Sequence, residues 1–167
     1  MTTKGLTRIS MLTAVALTIF VVELQIPAPV PIPGVKLGLA NIVTVCAMFL
    51  FGPADTALIL ATRILLGSFF SGRITSLFYS LAGGTLCYLI MLLLRRIVSE
   101  RQIWVCSILG AIAHNIGQIT MAILITRTPA LICYLPLLMV SGIIAGTFTG
   151  LCAQFVVNRG VISEKTL

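Results

Sequence analysis

The chain has 167 residues, 59% of them hydrophobic and 9% charged, with a mean hydropathy of +1.15. Such apolarity excludes a soluble domain of this size and points to an integral membrane protein. The 11 Lys+Arg against 4 Asp+Glu give a net charge of +7. Most of these cations sit at the ends of apolar runs, where they orient spans and meet lipid headgroups, and no basic patch with interleaved aromatics exists to bind nucleic acid.

Measured against the roughly 20 residues needed to cross hydrocarbon, six runs are predicted spans: 6–24, 35–51, 56–71, 75–94, 103–125 and 131–157. They define one all-α, polytopic membrane domain covering the chain. Lys4 and Arg8 before the first run give it the look of a secretory signal. Glu23, Gln25 and Pro27 after it offer no small-x-small cleavage site, so a retained span is expected. In residues 25–34, Pro27, Pro29, Pro31 and Pro33 alternate and force extended backbone. That segment is either a stiff outer connector or a structured loop over the outer mouth of the bundle; its apolarity suits the second.

Spans two and three are short, and Gly52, Pro53, Ala54 and Asp55 between them combine a helix stop with a helix start. A helical hairpin is expected there. Spans five and six are separated only by residues 126–130, and Pro136 is expected to kink the sixth near its start. Seven cations (Lys4, Arg8, Arg95, Arg96, Arg101, Arg159, Lys165) fall on one side of this scheme and three (Lys36, Arg73, Arg127) on the other. The positive-inside rule then places both termini in the cytoplasm. The cation left over is Arg63, inside the third span.

Cys46, Cys87, Cys106, Cys133 and Cys152 are widely spaced, without a C-x-x-C pair, and read as small hydrophobes rather than as a metal or redox centre. Ser10, Ala14 and Thr18 in span one, and Gly142, Gly146 and Gly150 in span six, place small residues four apart on one helical face. Such stripes let two backbones approach closely. Either one serves packing within the chain or docking of another membrane protein.

A charge deep in a span is expensive and normally faces a bundle interior or a wet cavity. At 1.5 Å per residue, Arg63 lies about 12 Å above the start of span three and His114 about 16 Å above that of span five, close to the midplane. Asn115 and Gln118 accompany His114, and each polar side chain needs a partner in a dry setting. These residues form either a buried network joining spans three and five or the floor of a substrate cavity, with Asn41, Lys36 and Arg73 nearer its rim. Glu23 is placed to pair with Lys36 or Arg63. A cavity dominated by cations favours an anionic or carboxylate-bearing ligand.

No G-x-x-x-x-G-K-[ST] is present, so the chain has no P-loop with which to hydrolyse ATP. Glu23, Asp55, Glu100 and Glu164 are isolated from one another, leaving no paired carboxylates for magnesium or acid-base work. No cofactor, metal or catalytic residue is expected.

The run from Ile32 to Thr44 (IPGVKLGLANIVT), then Phe51-Gly52-Pro53, then Arg63 to Ser68 (RILLGS), resembles the membrane family called heptaprenyl diphosphate synthase component I, also known as the Gx transporter family. The layout is similar to the substrate-binding S components of energy-coupling factor importers. That likeness implies a six-helix bundle in a bacterial cell membrane, an outward-facing site for a small ligand, and a small-residue face on span one. Ser10, Ala14 and Thr18 match that face in spacing; it would dock a transmembrane coupling subunit that works with cytoplasmic ATPases. Where S components often carry an acidic residue on span three, this chain has Arg63. The family label implies a different role, an accessory membrane subunit in isoprenoid or quinone metabolism.

Overall fold

A computed structural model describes residues 3–26, 36–99 and 102–159. Among the described residues the fold is all-helical: α1 (Thr3–Glu23), α2 (Asn41–Leu50), α3 (Pro53–Ser71), α4 (Ile74–Leu94), α5 (Ile103–Thr126) and α6 (Leu135–Asn158). A six-residue 3-10 helix, Pro129–Tyr134, leads into α6. All but α2 are long and apolar enough to cross a membrane, so the chain is a multi-pass membrane protein whose outer helix faces contact lipid.

The second predicted span, 35–51, is where structure and expectation part. Only 10 of its residues are helical, about 15 Å of rise against a hydrocarbon thickness of about 30 Å. Lys36 to Ala40 are not helical, because Gly38 turns the chain with φ +80°, a conformation that glycine adopts without steric cost. The helix therefore begins inside the bundle, against α3 and α6. Its first amides find acceptors in the turn before it, Asn41 N–H donating to the Gly38 carbonyl (2.9 Å) and Ile42 N–H to the Leu39 carbonyl (3.1 Å). The Glu23 carboxylate holds that turn in place, accepting from Gly38 N–H (2.5 Å) and Ala40 N–H (3.5 Å).

The hairpin between α2 and α3 forms as expected. Gly52 has φ +102°, Pro53 opens α3 where a missing N–H costs nothing, and Tyr88 Oη donates to the Pro53 carbonyl (3.1 Å). Pro136 does not kink a continuous sixth helix. It lies in the first turn of α6, directly after the 3-10 turn.

α5 packs most extensively, against α4 on one side and α6 on the other. Both contacts depend on glycine. A Cβ added at Gly146 would sit 2.8 Å from Ile108 Cα, and one at Gly150 2.6 Å from Trp104 Cα. The Gly142, Gly146 and Gly150 stripe is thus consumed in packing α6 on α5. The stripe on α1 differs, since Ser10, Ala14 and Thr18 are all exposed. Of the predicted proline segment, 25–34, residues 27–34 lie outside the described residues.

Candidate functional site

Five helices or their ends converge on one polar pocket in this apolar bundle. α1 contributes Phe20 and Glu23, the turn before α2 contributes Lys36 and Gly38, α3 contributes Arg63, and α5 contributes His114 and Gln118. Ser80 of α4 and Ile64 complete its wall. The site forms where the end of α1 and the turn before α2 meet the middle of α3 and α5.

Arg63 is buried, with 5% of its surface exposed. One guanidinium nitrogen donates to Asn41 Oδ1 (3.2 Å), fixing the side chain against the first residue of α2. Glu23 is equally buried at 4%, and its carboxylate is engaged by the Gly38 and Ala40 amides. Arg63 and Glu23 share a cavity wall, while the hydrogen bonds of each go elsewhere.

Lys36 is held from three directions. Its backbone N–H donates to Gln118 Oε1 (3.3 Å), its ammonium donates to Ser76 Oγ (2.9 Å), and the ammonium sits 3.7 Å from the centroid of the Phe20 ring. That cation–π contact partly replaces the water the lysine has lost. Burial pushes the Lys36 ammonium down to about 8, with the Arg63 charge adding to the fall and the Glu23 charge opposing it.

His114 is wedged between the pocket and α4. A Cβ added at Gly83 would come within 2.9 Å of its Nδ1 and of Gln118 Cγ, and 2.8 Å of its carbonyl oxygen. Glycine at 83 is what lets α4 lie close enough to press both side chains towards Lys36 and Gly38. The volume left is small. About 20 Å³ is open to the centre of a water molecule, enough for one or two waters, since a single water needs about 10–15 Å³ on that measure.

Of the residues singled out in the sequence, Arg63, His114, Gln118, Lys36 and Glu23 meet at the cavity, and Asn41 supports Arg63. Asn115 points away, donating to the Leu138 carbonyl of α6 (2.6 Å) beside Gly142. Arg73 is exposed at the start of α4 and does not line this cavity. Sequence reasoning missed Phe20, Ser76 and Ser80. Phe20 had a signal, lying three residues before Glu23 and so on the same face of α1. Two serines in an apolar span carried none.

Around the cavity, one buried cation, Arg63, and one half-buried cation, Lys36, outnumber the single carboxylate of Glu23. Among the described residues no group of three or more His, Cys, Asp or Glu side chains is placed to hold a metal ion, and all five cysteines are free thiols. Compared with known families, the chain matches the one described as heptaprenyl diphosphate synthase component I over residues 12–156. Comparison with curated proteins and with solved structures found no match.

Proposed function

Since the chain belongs to the heptaprenyl diphosphate synthase component I family, we propose that it is the substrate-capturing membrane subunit of an energy-coupling factor type importer. The observation that carries this reading is the cluster of buried Arg63, Glu23, His114 and Gln118 with half-buried Lys36 around a cavity in an otherwise apolar bundle. Ionisable groups in such a setting are costly unless they have work to do. Both termini are cytoplasmic and the cavity opens outward, with α2 as a partial span. Arg63 anchors a small anionic or amphipathic ligand while His114 and Gln118 orient it.

The exposed face of Ser10, Ala14 and Thr18 on α1 supports docking of a coupling subunit, because small residues let a partner helix approach closely. Energy would then come from cytoplasmic ATPases bound to that subunit. Isolation of the chain from its native membrane tests this: ATPase subunits are expected to co-purify, and Ala14→Trp is expected to release them without unfolding the bundle. Co-purification of a soluble prenyl diphosphate synthase instead would sink the importer reading. It would favour the second one, an accessory subunit in isoprenoid diphosphate synthesis, which the family's name supports by implying a further component.

A further inference from the structure

The charges around the cavity do not cancel. Arg63 and Lys36 bring two positive charges to its wall and Glu23 one negative charge, leaving one positive charge with His114 counted neutral. Glu23 is counted as ionised because its carboxylate accepts two backbone N–H bonds. The chain has 4 acidic residues in all, so few side chains are available to supply the missing charge. Asp55 lies eight residues from Arg63 on α3, about 12 Å away along the helix. Glu100 and Glu164 are outside the described residues, and residues 27–35, which precede Lys36, include no charged side chain. An unbalanced charge among apolar helices, beside a buried guanidinium, is expensive. The space beside it takes a group the size of one or two waters.

We propose that the cavity binds one singly charged anionic group, a halide or the carboxylate of an organic acid, seated between Arg63 and Lys36, in preference to phosphate or diphosphate. This rests on the reading of the cavity as a ligand site. The partners suit the role. Arg63 carries five N–H donors and gives one to Asn41, and a guanidinium engages a carboxylate through two parallel N–H groups. Lys36 supplies a second cation whose position is set by Ser76 and Phe20. A single negative charge neutralises the site. A dianion overshoots it and adds repulsion from Glu23, which lines the same cavity. The preference is therefore set by charge count as well as by size, and it reverses when the count is changed.

The test uses the full chain purified in detergent, with thermal unfolding followed while chloride, acetate, octanoate, inorganic phosphate or diphosphate is titrated at constant ionic strength. Saturable stabilisation by chloride or the carboxylates is expected, with phosphate and diphosphate weaker. Chloride acting as well as octanoate identifies a free halide; octanoate acting more strongly identifies the carboxylate of an amphipathic ligand. Lys36→Gln, which brings the count to zero, is expected to abolish the effect. Glu23→Gln, which raises it to two, is expected to improve phosphate relative to acetate by about tenfold, a conservative figure for one added charge at close range. Phosphate or diphosphate stabilising the native chain more than acetate, and losing that effect in Lys36→Gln, would overturn the single-charge rule while leaving the ligand site standing. No saturable response to any anion, with the native chain and Lys36→Gln alike, would overturn the ligand site as well.

Discussion

Gly117→Ala and Gly84→Ala, two substitutions alike in chemistry and both at glycines between packed helices, should have opposite outcomes. At Gly117 on α5, an added Cβ would meet the Ala82 carbonyl oxygen at 2.7 Å, Gly83 Cα at 2.8 Å and the Ala82 carbonyl carbon at 2.9 Å. All three are backbone atoms of α4, so relief requires separating the helices. At Gly84 the added Cβ meets Ile64 Cδ1 at 2.9 Å and Leu60 Cδ1 at 3.4 Å, the ends of side chains that can rotate away. Overpacking against rigid neighbours costs up to about 3 kcal/mol. Alanine returns about 1 kcal/mol through helix propensity. Gly117→Ala is then destabilised by about 2 kcal/mol, a fall in Tm of about 4–8 °C for a chain of this length, while Gly84→Ala stays near the native value. A thiol-reactive dye measures this, because Cys46, Cys87 and Cys106 are buried and react on unfolding, while exposed Cys133 sets the baseline. If Gly117→Ala unfolds at the native temperature, or Gly84→Ala is the less stable of the two, the close approach of α4 and α5 is wrong.

Further outcomes follow from the site. Lys36 lies between α1 and α2, outside the spanning helices, and faces Glu23, Arg63 and His114 around the cavity. With its ammonium held near 8 by burial, the cavity loses a charge as pH rises through that value. Anion binding should therefore be complete at pH 7 and weaken towards pH 9.5 in a titration of binding against pH, and Lys36→Arg should remove that fall. Asn41→Ala removes an acceptor for a buried guanidinium. It should cost about 1.5–3 kcal/mol in the thiol-dye assay, more than Asn41→Asp, which keeps the oxygen. Glu23→Ala leaves the Gly38 and Ala40 amides without their acceptor. Hydrogen exchange at the Gly38 and Ala40 amides should speed up by about tenfold or more, with α5 unaffected; equal protection in the variant would mean that Glu23 does not hold the turn before α2.

Much of the bundle was legible because its signals are local. The Gly52-Pro53 hairpin, the long apolar runs and the isolation of Arg63 each follow from a few adjacent residues. Span two was misjudged because hydropathy counts apolar residues without asking what their backbone does. Gly38 breaks a run that is apolar apart from Lys36, Asn41 and Thr44. The convergence of Arg63 and His114 could be inferred from helical rise alone, since both sit near the middle of long helices. Asn115 could not be placed by that route, because rise sets depth and says nothing of direction. The residue beside His114 turns to α6, where Gly142 makes room for it. Ser76 entered the site only through Lys36, whose long side chain reaches a partner far away in sequence.

The most direct test of the account is mass spectrometry of the small molecules released when the purified chain is denatured, comparing the native sequence with Arg63→Gln. The account expects a small, singly charged anion to be released from the native chain and to be missing from Arg63→Gln, provided that the variant still unfolds cooperatively. Identical small-molecule content in the two, with both folded, would contradict the claim that Arg63 anchors a ligand.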